Sequence, residues 1–171
     1  MTIKFLVNKV KYIIIMKTLT ILFLLFTATA NATEVYFTPS NDCQEQIIKL
    51  IDKAQNNINI AIYSFTDNKI YNTLVKKKNI VKIIADGKQS KGKSSKIDLL
   101  SFNNVKVCKR LSGVMHNKYM IIDDKYVITG SYNWSDGARK SNNENCIVIN
   151  DIDVIKKYQK NFNELSLKYC K

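Results

Sequence analysis

One segment of the chain, residues 114–134 with the sequence VMHNKYMIIDDKYVITGSYNW, constrains the fold most strongly. Strand-forming residues such as Ile, Val, Tyr and Thr dominate both sides of the triplet Asp123-Asp124-Lys125. The triplet itself has the polar composition of a hairpin turn. The segment therefore predicts two antiparallel strands, with the beginning of the first lying beside the end of the second.

Strands and helices alternate along the rest of the chain. Short apolar runs predict strands, and apolar residues at helical spacing predict helices. The predicted strands are residues 35–38, 58–64, 80–85, 105–108 and 146–149. The predicted helices lie within residues 42–54, 70–78, 97–102 and 151–168. This alternation indicates one α/β layered domain, and 171 residues with 46% hydrophobic content suffice for a single core.

Two further expectations depend on local composition. Asn41 or Asp42 is expected to cap the first helix of the domain, with Gln44 or Glu45 completing a capping box. Residues 86–96, DGKQSKGKSSK, contain two glycines, three serines and four lysines, and they form the one stretch whose composition predicts mobility.

The first 32 residues have the composition of an export signal. Residues 17–32, KTLTILFLLFTATANA, begin with lysine, continue with an apolar run and end in ANA, the A-x-A form of a signal-peptidase site. We therefore expect a secreted or periplasmic protein whose mature chain begins near Thr33. The apolar run is shorter than the roughly 20 residues of a spanning helix, and an uncleaved membrane anchor is the alternative. Met16 directly precedes this pattern, so the start codon is either Met1 or Met16.

The expected organisation is an upstream extension and signal peptide at residues 1–32, followed by one domain at residues 33–171. The leader contains four lysines and no acid, so its removal lowers the net charge from +13 to +9. A charge of this size favours a polyanionic partner, either nucleic acid or an anionic membrane surface. The alternative is a diffuse lysine surface that only keeps the protein soluble.

Four cysteines lie in the part of the chain that we expect to be exported, where disulfides persist. They are Cys43, Cys108, Cys146 and Cys170. Four cysteines allow three pairings, and the sequence does not choose among them. No two are spaced as C-x-x-C, and one histidine is too few for the usual zinc sites, so no metal site is predicted.

The candidate site is built around His116, the only histidine of the chain. Side chains two apart on a strand share a face, so His116 and Lys118 are expected to project together. The return strand ends at Gly130 and Ser131, and Asn133 follows. The predicted hairpin therefore brings an imidazole, an ammonium, a hydroxyl and an amide to one end.

This set of side chains suits the chemistry of a phosphodiester. An imidazole nitrogen can attack phosphorus and form a covalent intermediate. Lys118, Ser131 and Asn133 can hold the phosphate oxygens as charge develops, so neither a metal nor another cofactor is needed. Glu144 is the candidate for fixing the histidine tautomer, and Asp123 either organises the turn or supports the lysine. The alternative is an ordinary histidine at the start of a strand.

The residues resemble a known family. HNKYMIID followed by GSYNWS resembles the H-x-K-x4-D…G-S signature of the phospholipase D superfamily. With VYFTPSND, AIYSFT, VKIIAD and SNNENCIVI, the resemblance covers nearly all of residues 34–165. The chain resembles short, single-motif bacterial endonucleases of that superfamily, and it also resembles short secreted phospholipases D of intracellular bacteria.

The resemblance implies a mixed β-sheet between α-helices, a phosphohistidine intermediate and no metal. It assigns site roles to His116, Lys118, Asp123, Ser131, Asn133 and Glu144. The four cysteines are additional to the pattern of the family.

A single histidine leaves the reaction without a second imidazole to protonate the leaving oxygen. The chain contains no repeated half that could supply one. We therefore expect a homodimer that brings two copies of His116 into one site, as the resemblance to short family members also implies.

Three functions are compatible with these residues. The first is hydrolysis of a phospholipid such as phosphatidylcholine to phosphatidate and choline, and it is favoured by the expected export. The second is a metal-independent, non-specific endonuclease, which the basic loop would suit. The third is a catalytically inactive binding protein, and the intact set of site residues argues against it.

Overall fold

The computed structural model describes residues 3–24, 33–100, 105–108 and 113–168. The chain divides into two units, Met1–Ala30 and Asn31–Lys171. The first unit contains one helix, α1 (Ile3–Leu24), which continues through Met16. Among the described residues, none of the helices combines the length and apolar character that a membrane crossing requires. The predicted signal-peptidase site lies outside the described residues.

The second unit is built on one mixed sheet of seven strands. In chain order these are β1 (Thr33–Phe37), β2 (Ile58–Ile62), β3 (Val81–Asp86), β4 (Val105–Cys108), β5 (Lys118–Ile122), β6 (Tyr126–Gly130) and β7 (Asn145–Ile149). Their order across the sheet is β1-β7-β6-β5-β2-β3-β4. β2, β3 and β4 run parallel, and all other neighbours are antiparallel. The predicted hairpin is confirmed as β5 and β6.

Helices cover both faces of the sheet, which confirms the expected α/β fold. They are α2 (Asp42–Lys53), α3 (Asn68–Lys76), α4 (Asp136–Lys140) and α5 (Ile152–Lys168). α2 and α3 pack on one face in a core that includes Ile47, Ile60 and Met120. α5 packs on the other face, where Phe162 belongs to the second core. Because both faces are covered, β2 and β5 are buried along their whole length.

Two local expectations differ from the structure. α2 has Asn41 as its N-cap but no side-chain capping bond, and Ser40 Oγ accepts the hydrogen bond of Asp42 N instead (3.1 Å). The capping box is therefore wrong. Residues 97–100 form hydrogen-bonded turns rather than a helix, and the rest of that predicted helix lies outside the described residues.

The basic loop, residues 86–96, is held by hydrogen bonds despite its Gly- and Ser-rich composition. Asp86 Oδ1 accepts from the backbone nitrogens of Lys88 and Gln89, both at 3.0 Å. Ser90 is buried, and the backbone nitrogen of Lys96 donates to the carbonyl of Phe65 at 2.9 Å. The loop is therefore tied to its surroundings at its beginning and at its end, and its mobility stays a prediction.

A disulfide joins Cys43 in the first turn of α2 to Cys146 in β7, with 5.9 Å between their Cα atoms. This is one of the pairings that the sequence left open. The side chain of Cys108 and the whole of Cys170 lie outside the described residues. Since β7 borders β6, the disulfide fixes α2 to the strands that carry the end of the hairpin.

The β5–β6 turn is held by the carboxylate of Asp123. Asp123 and Asp124 both have positive φ (51° and 53°), a conformation that Asp tolerates in tight turns. The Asp123 carboxylate accepts hydrogen bonds from the backbone nitrogens of Gln55, Asn56 and Asn57 at 2.7–3.2 Å. Burial by itself raises the pKa of this carboxyl, but the three donors and a nearby lysine outweigh it, so the pKa lies below its ordinary value.

Replacing both Cys43 and Cys146 by serine should lower the free energy of unfolding by about 2–5 kcal/mol, because the crosslink closes a long loop. Urea unfolding of the double variant and the wild type under oxidising conditions measures the difference. A non-reducing digest of the wild type serves as the control and should yield a peptide pair joined through these two cysteines. Equal stability of the two proteins would contradict the prediction.

Asp123→Asn should destabilise the domain at neutral pH. The folded carboxyl has a lowered pKa, so its contribution is present above the unfolded pKa of about 3.9 and disappears as pH falls through the folded pKa. Unfolding curves at neutral and acid pH should therefore show a difference between variant and wild type that shrinks in acid. Asp124→Asn is the matched control because Asp124 shares the turn, but among the described residues its carboxylate accepts from the Asn57 side chain and not from the backbone. A difference independent of pH would refute this role.

Candidate active site

The backbone that leads into His116 is fixed by a buried carboxylate. Asp86 ends β3 and is 4% exposed. Its Oδ2 accepts a hydrogen bond from the backbone nitrogen of Met115 at 3.0 Å, while its Oδ1 binds the start of the basic loop. Since Met115 is buried and His116 is exposed, the anchored backbone presents the imidazole at the surface.

The ring of Tyr63 packs against the imidazole of His116. The two ring centroids lie 4.4 Å apart with an interplanar angle of 60°, which is an edge-on arrangement. Tyr63 follows β2 directly, and Ile62 pairs with Lys118 across the sheet. The register of β2 and β5 therefore places this tyrosine beside the histidine.

Lys118 begins β5 and is largely buried, with 8% exposure. Its Nζ donates to the carbonyl oxygen of His116 at 2.7 Å and lies 5.0 Å from the centroid of the Tyr63 ring. Burial lowers the pKa of this ammonium below its ordinary value, and the Glu144 carboxylate opposes part of that shift. An ammonium in such a partly dehydrated position interacts strongly with an anion that reaches it.

Ser131 and Asn133 lie at the same end of the hairpin. Ser131 Oγ accepts a hydrogen bond from the backbone nitrogen of Asn145 at 3.1 Å, which leaves the hydroxyl proton available to donate. Asn133 Oδ1 is buried and has no hydrogen-bond partner among the described residues. Gly130 allows the close approach of β7, since its φ is 151° and a Cβ would lie 2.2 Å from the Asn145 oxygen.

Glu144 also lies at this end of the sheet. Thr38 N donates to its carbonyl oxygen and Glu144 N donates to Thr38 Oγ1, both at 3.0 Å. Within the described part of the chain, its carboxylate accepts from Asn142 Nδ2 at 3.0 Å rather than from His116. Glu144 directly precedes β7, whose first residue, Asn145, is hydrogen-bonded to Ser131, and its charge acts on Lys118.

Asp123 is the one candidate that the structure separates from the others. It lies beyond the far end of β5, five residues from Lys118 at about 3.3 Å per residue along a strand. Its carboxylate is occupied by the backbone of the α2–β2 loop. Of the two roles that the sequence left open, organising the turn fits this position, and support of the lysine does not.

Sequence reasoning missed two residues that shape the site. Asp86 stands at the carboxyl end of a buried strand, a position at which polar residues often carry function in α/β sheets, so a signal was present. Gln89 Nε2 donates to the hydroxyl of Tyr63 at 3.1 Å, and no sequence pattern indicates this contact. Both residues belong to the basic loop, which therefore borders the site.

The arrangement combines an exposed imidazole with a cation, a hydroxyl donor and an amide. Such a set can attack an electrophilic centre and hold the oxygens of an anion around it. Among the described residues, no group of three or more His, Cys, Asp or Glu side chains could hold a metal ion.

The chain is similar to known proteins of one family. The family described as cardiolipin synthase, PLD-like domain, matches residues 47–166. Phospholipase D of Rickettsia conorii is 36% identical over 130 residues, covering 74% of this chain and 65% of that protein. Mitochondrial cardiolipin hydrolase of Xenopus laevis is 31% identical over 120 residues, covering 68% of this chain and 57% of that protein. The chain thus spans less than two thirds of the length of these relatives.

Two solved structures have the same fold. NucT from Helicobacter pylori superposes with a TM-score of 0.74 at 31% identity, covering 82% of this chain and 98% of that one. Nuc from Salmonella typhimurium, a phospholipase D family member, superposes with a TM-score of 0.74 at 25% identity, covering 81% and 96%. The family match over most of the domain and the near-complete coverage of NucT give one conclusion: the chain belongs to the phospholipase D superfamily, as one of its short members.

Proposed function

We propose that the chain is a secreted phosphodiesterase that hydrolyses a phospholipid such as phosphatidylcholine to phosphatidate and choline. The observation that carries this proposal is the convergence of the exposed His116 imidazole with Lys118, Ser131 and Asn133 at one end of the sheet. A phosphodiester presents one electrophilic phosphorus and two non-bridging oxygens that share one negative charge, and this set of groups complements both features.

The reaction proceeds in two displacements. One imidazole nitrogen of His116 attacks phosphorus, an N–P bond forms, and the bond to the leaving oxygen breaks as that oxygen takes a proton from a general acid. Water then attacks phosphorus, gives its proton to the same group and releases the histidine. Each displacement inverts the configuration at phosphorus.

Lys118, Ser131 and Asn133 act on the non-bridging oxygens. The ammonium of Lys118 supplies positive charge, and the free proton of the Ser131 hydroxyl supplies a donor. The side chain of Asn133 has one polar atom without a partner among the described residues, so its amide can turn towards the substrate. Neutralisation by these groups requires no metal ion.

The phospholipid assignment is supported by the phospholipases D of Rickettsia among the relatives. A second candidate is a metal-independent endonuclease acting on DNA or RNA, and the basic loop is the observation that favours it. Lys88, Lys91 and Lys93 are exposed on this loop, which borders the site through Gln89 and Tyr63. Exposed lysines on a loop that borders the site would suit the phosphates of a nucleic-acid strand.

A substrate comparison tests the assignment. The purified chain should release choline from phosphatidylcholine vesicles in the presence of a chelator, and His116→Ala should abolish the release. The same sample is assayed on single- and double-stranded DNA. Cleavage of DNA without release of choline would contradict the phospholipase assignment and support the endonuclease assignment. Loss of both activities in the chelator, with recovery on adding a metal ion, would contradict the metal-free mechanism.

A homodimer is part of the proposal, because the reaction needs a second group to protonate the leaving oxygen. The chain has no other histidine, so His116 of the partner subunit is the proposed general acid and base. A two-fold axis near the end of the hairpin would bring the two imidazoles to opposite sides of one phosphorus.

The sheet offers a face for the second copy. Residues directly opposite each other on antiparallel strands share a face, so Val35, Ile147 and Ile149 lie on the side of the sheet that α5 occupies. α5 packs chiefly over β2, β3, β5 and β6, so this part of β1 and β7 forms an open face among the described residues. Val35 and Phe37 are 50% and 65% exposed there. Because Phe37 pairs with Asn145, the open face reaches the active-site end of the sheet.

Dilution of wild-type protein with His116→Ala tests the shared site. The total protein concentration is kept constant. If each site needs a histidine from both chains, activity should fall with the square of the wild-type fraction, to about a quarter of the undiluted activity in an equal mixture. The control diluent is His116→Ala combined with Phe37→Asp, which should not form mixed dimers and should give a linear decrease. A linear decrease with both diluents would contradict the shared site.

Export fits the beginning of the domain. Thr33, the expected first residue of the mature chain, is also the first residue of β1. Removal of residues 1–32 would therefore leave the sheet complete, and a disulfide such as Cys43–Cys146 persists in an oxidising compartment.

A further inference from the structure

Tyr63 contacts both the imidazole of His116 and the ammonium of Lys118. Its ring lies 4.4 Å from the His116 ring and 5.0 Å from Lys118 Nζ, measured to the centroid. Lys118 Nζ in turn donates to the His116 carbonyl oxygen. The three residues therefore form a closed set of contacts, in which one aromatic ring limits the orientation of both the imidazole and the ammonium.

The position of Tyr63 is itself fixed from the basic loop. Its hydroxyl accepts a hydrogen bond from Gln89 Nε2 at 3.1 Å. Gln89 is itself held in place, because its backbone nitrogen donates to Asp86 Oδ1 at 3.0 Å. The other oxygen of Asp86 holds the backbone of Met115, next to the histidine. The buried carboxylate of Asp86 therefore positions both the backbone before His116 and, through Gln89 and Tyr63, the imidazole ring.

We propose that Tyr63 is a positioning residue for His116 and Lys118, and that Gln89 sets the position of Tyr63. Tyr63 takes no part in bond making. It keeps the imidazole plane aimed at phosphorus while Lys118 holds an oxygen of the same phosphate. Orientation of this kind matters because a displacement of about 1 Å at a reacting group can lower a rate about 100-fold. The kinetic part of this inference rests on the proposed phosphodiesterase activity.

The first experiment needs no substrate. His116 is the only histidine, so a proton NMR spectrum of the full chain contains one pair of imidazole CH resonances. Gln89→Met removes the hydrogen bond to Tyr63 without replacing a group that touches the imidazole, and it should move these resonances. Tyr63→Phe removes the same hydrogen bond and keeps the ring, so Gln89→Met should produce no further movement in that background.

Unchanged imidazole resonances in Gln89→Met would overturn the inference. Additive movements in the double variant would also overturn it, because they would show that Gln89 and Tyr63 act separately. Tyr71→Phe is the matched control: its ring also has a lysine near its face, Lys96 at 5.9 Å, but it lies on α3 and its hydroxyl donates to Leu99 O. This variant should leave the imidazole resonances in place.

The second experiment uses the substrate that the chain cleaves. Tyr63→Phe and Gln89→Met should each lower kcat about fivefold, the size expected for one hydrogen bond. Because both remove the same hydrogen bond, the double variant should be no slower than either single variant. Tyr63→Leu should lower kcat by about 100-fold, with a much smaller change in KM. Tyr71→Leu, chosen to give a similar loss of folding stability, should keep the wild-type kcat.

An equal loss of kcat in Tyr63→Leu and Tyr71→Leu would assign Tyr63 a purely structural role, and so would an effect confined to KM. If Tyr63→Leu does not fold, the Phe and Met variants carry the same comparison. A chain without phosphodiesterase activity would defeat the proposed function but not this inference, because the imidazole resonances still report the contact between Tyr63 and His116.

Discussion

The buried carboxylate of Asp86 is the interaction on which the active site depends, because it joins two separate parts of the chain through its two oxygens. One oxygen accepts from the start of the basic loop and the other from the backbone just before His116. A buried carboxylate is costly unless its oxygens are satisfied, and here three backbone donors satisfy them. The sheet brings this carboxylate to the same end as Tyr63, since β3 ends at Asp86 and the adjacent β2 leads to Tyr63. The site is therefore an extension of the central strands.

The fold class and the hairpin were predictable because their signals are local. Alternating strands and helices indicated the α/β class, and the triplet after Ile122 indicated the turn. The pairing of Cys43 with Cys146 was not predictable, since their sequence separation of 103 leaves no local trace. The hydrogen bonds of the basic loop were not predictable for a related reason. Its composition reports only on the loop, whereas the carboxylate that holds its start belongs to Asp86, the last residue of β3.

In the candidate site, too, some positions followed from local sequence signals and others depended on contacts between distant segments. Lys118, Ser131 and Asn133 share one end of the hairpin with His116, as strand periodicity and antiparallel return require. Asp123 belongs to the same short motif but lies at the other end of β5, where it binds three backbone nitrogens. Proximity in a motif therefore did not imply proximity in space. The contacts of Tyr63 could not be foreseen either, because they depend on how β2 and β5 are registered.

In the proposed mechanism His116 forms a covalent bond to phosphorus, and the stereochemical course of the reaction tests this step most directly. Two in-line displacements at one phosphorus invert its configuration twice. A substrate made chiral at phosphorus with sulfur and oxygen isotopes should therefore yield a product of retained configuration. Inversion would show that water attacks the substrate in a single step, and it would contradict the phosphohistidine intermediate on His116.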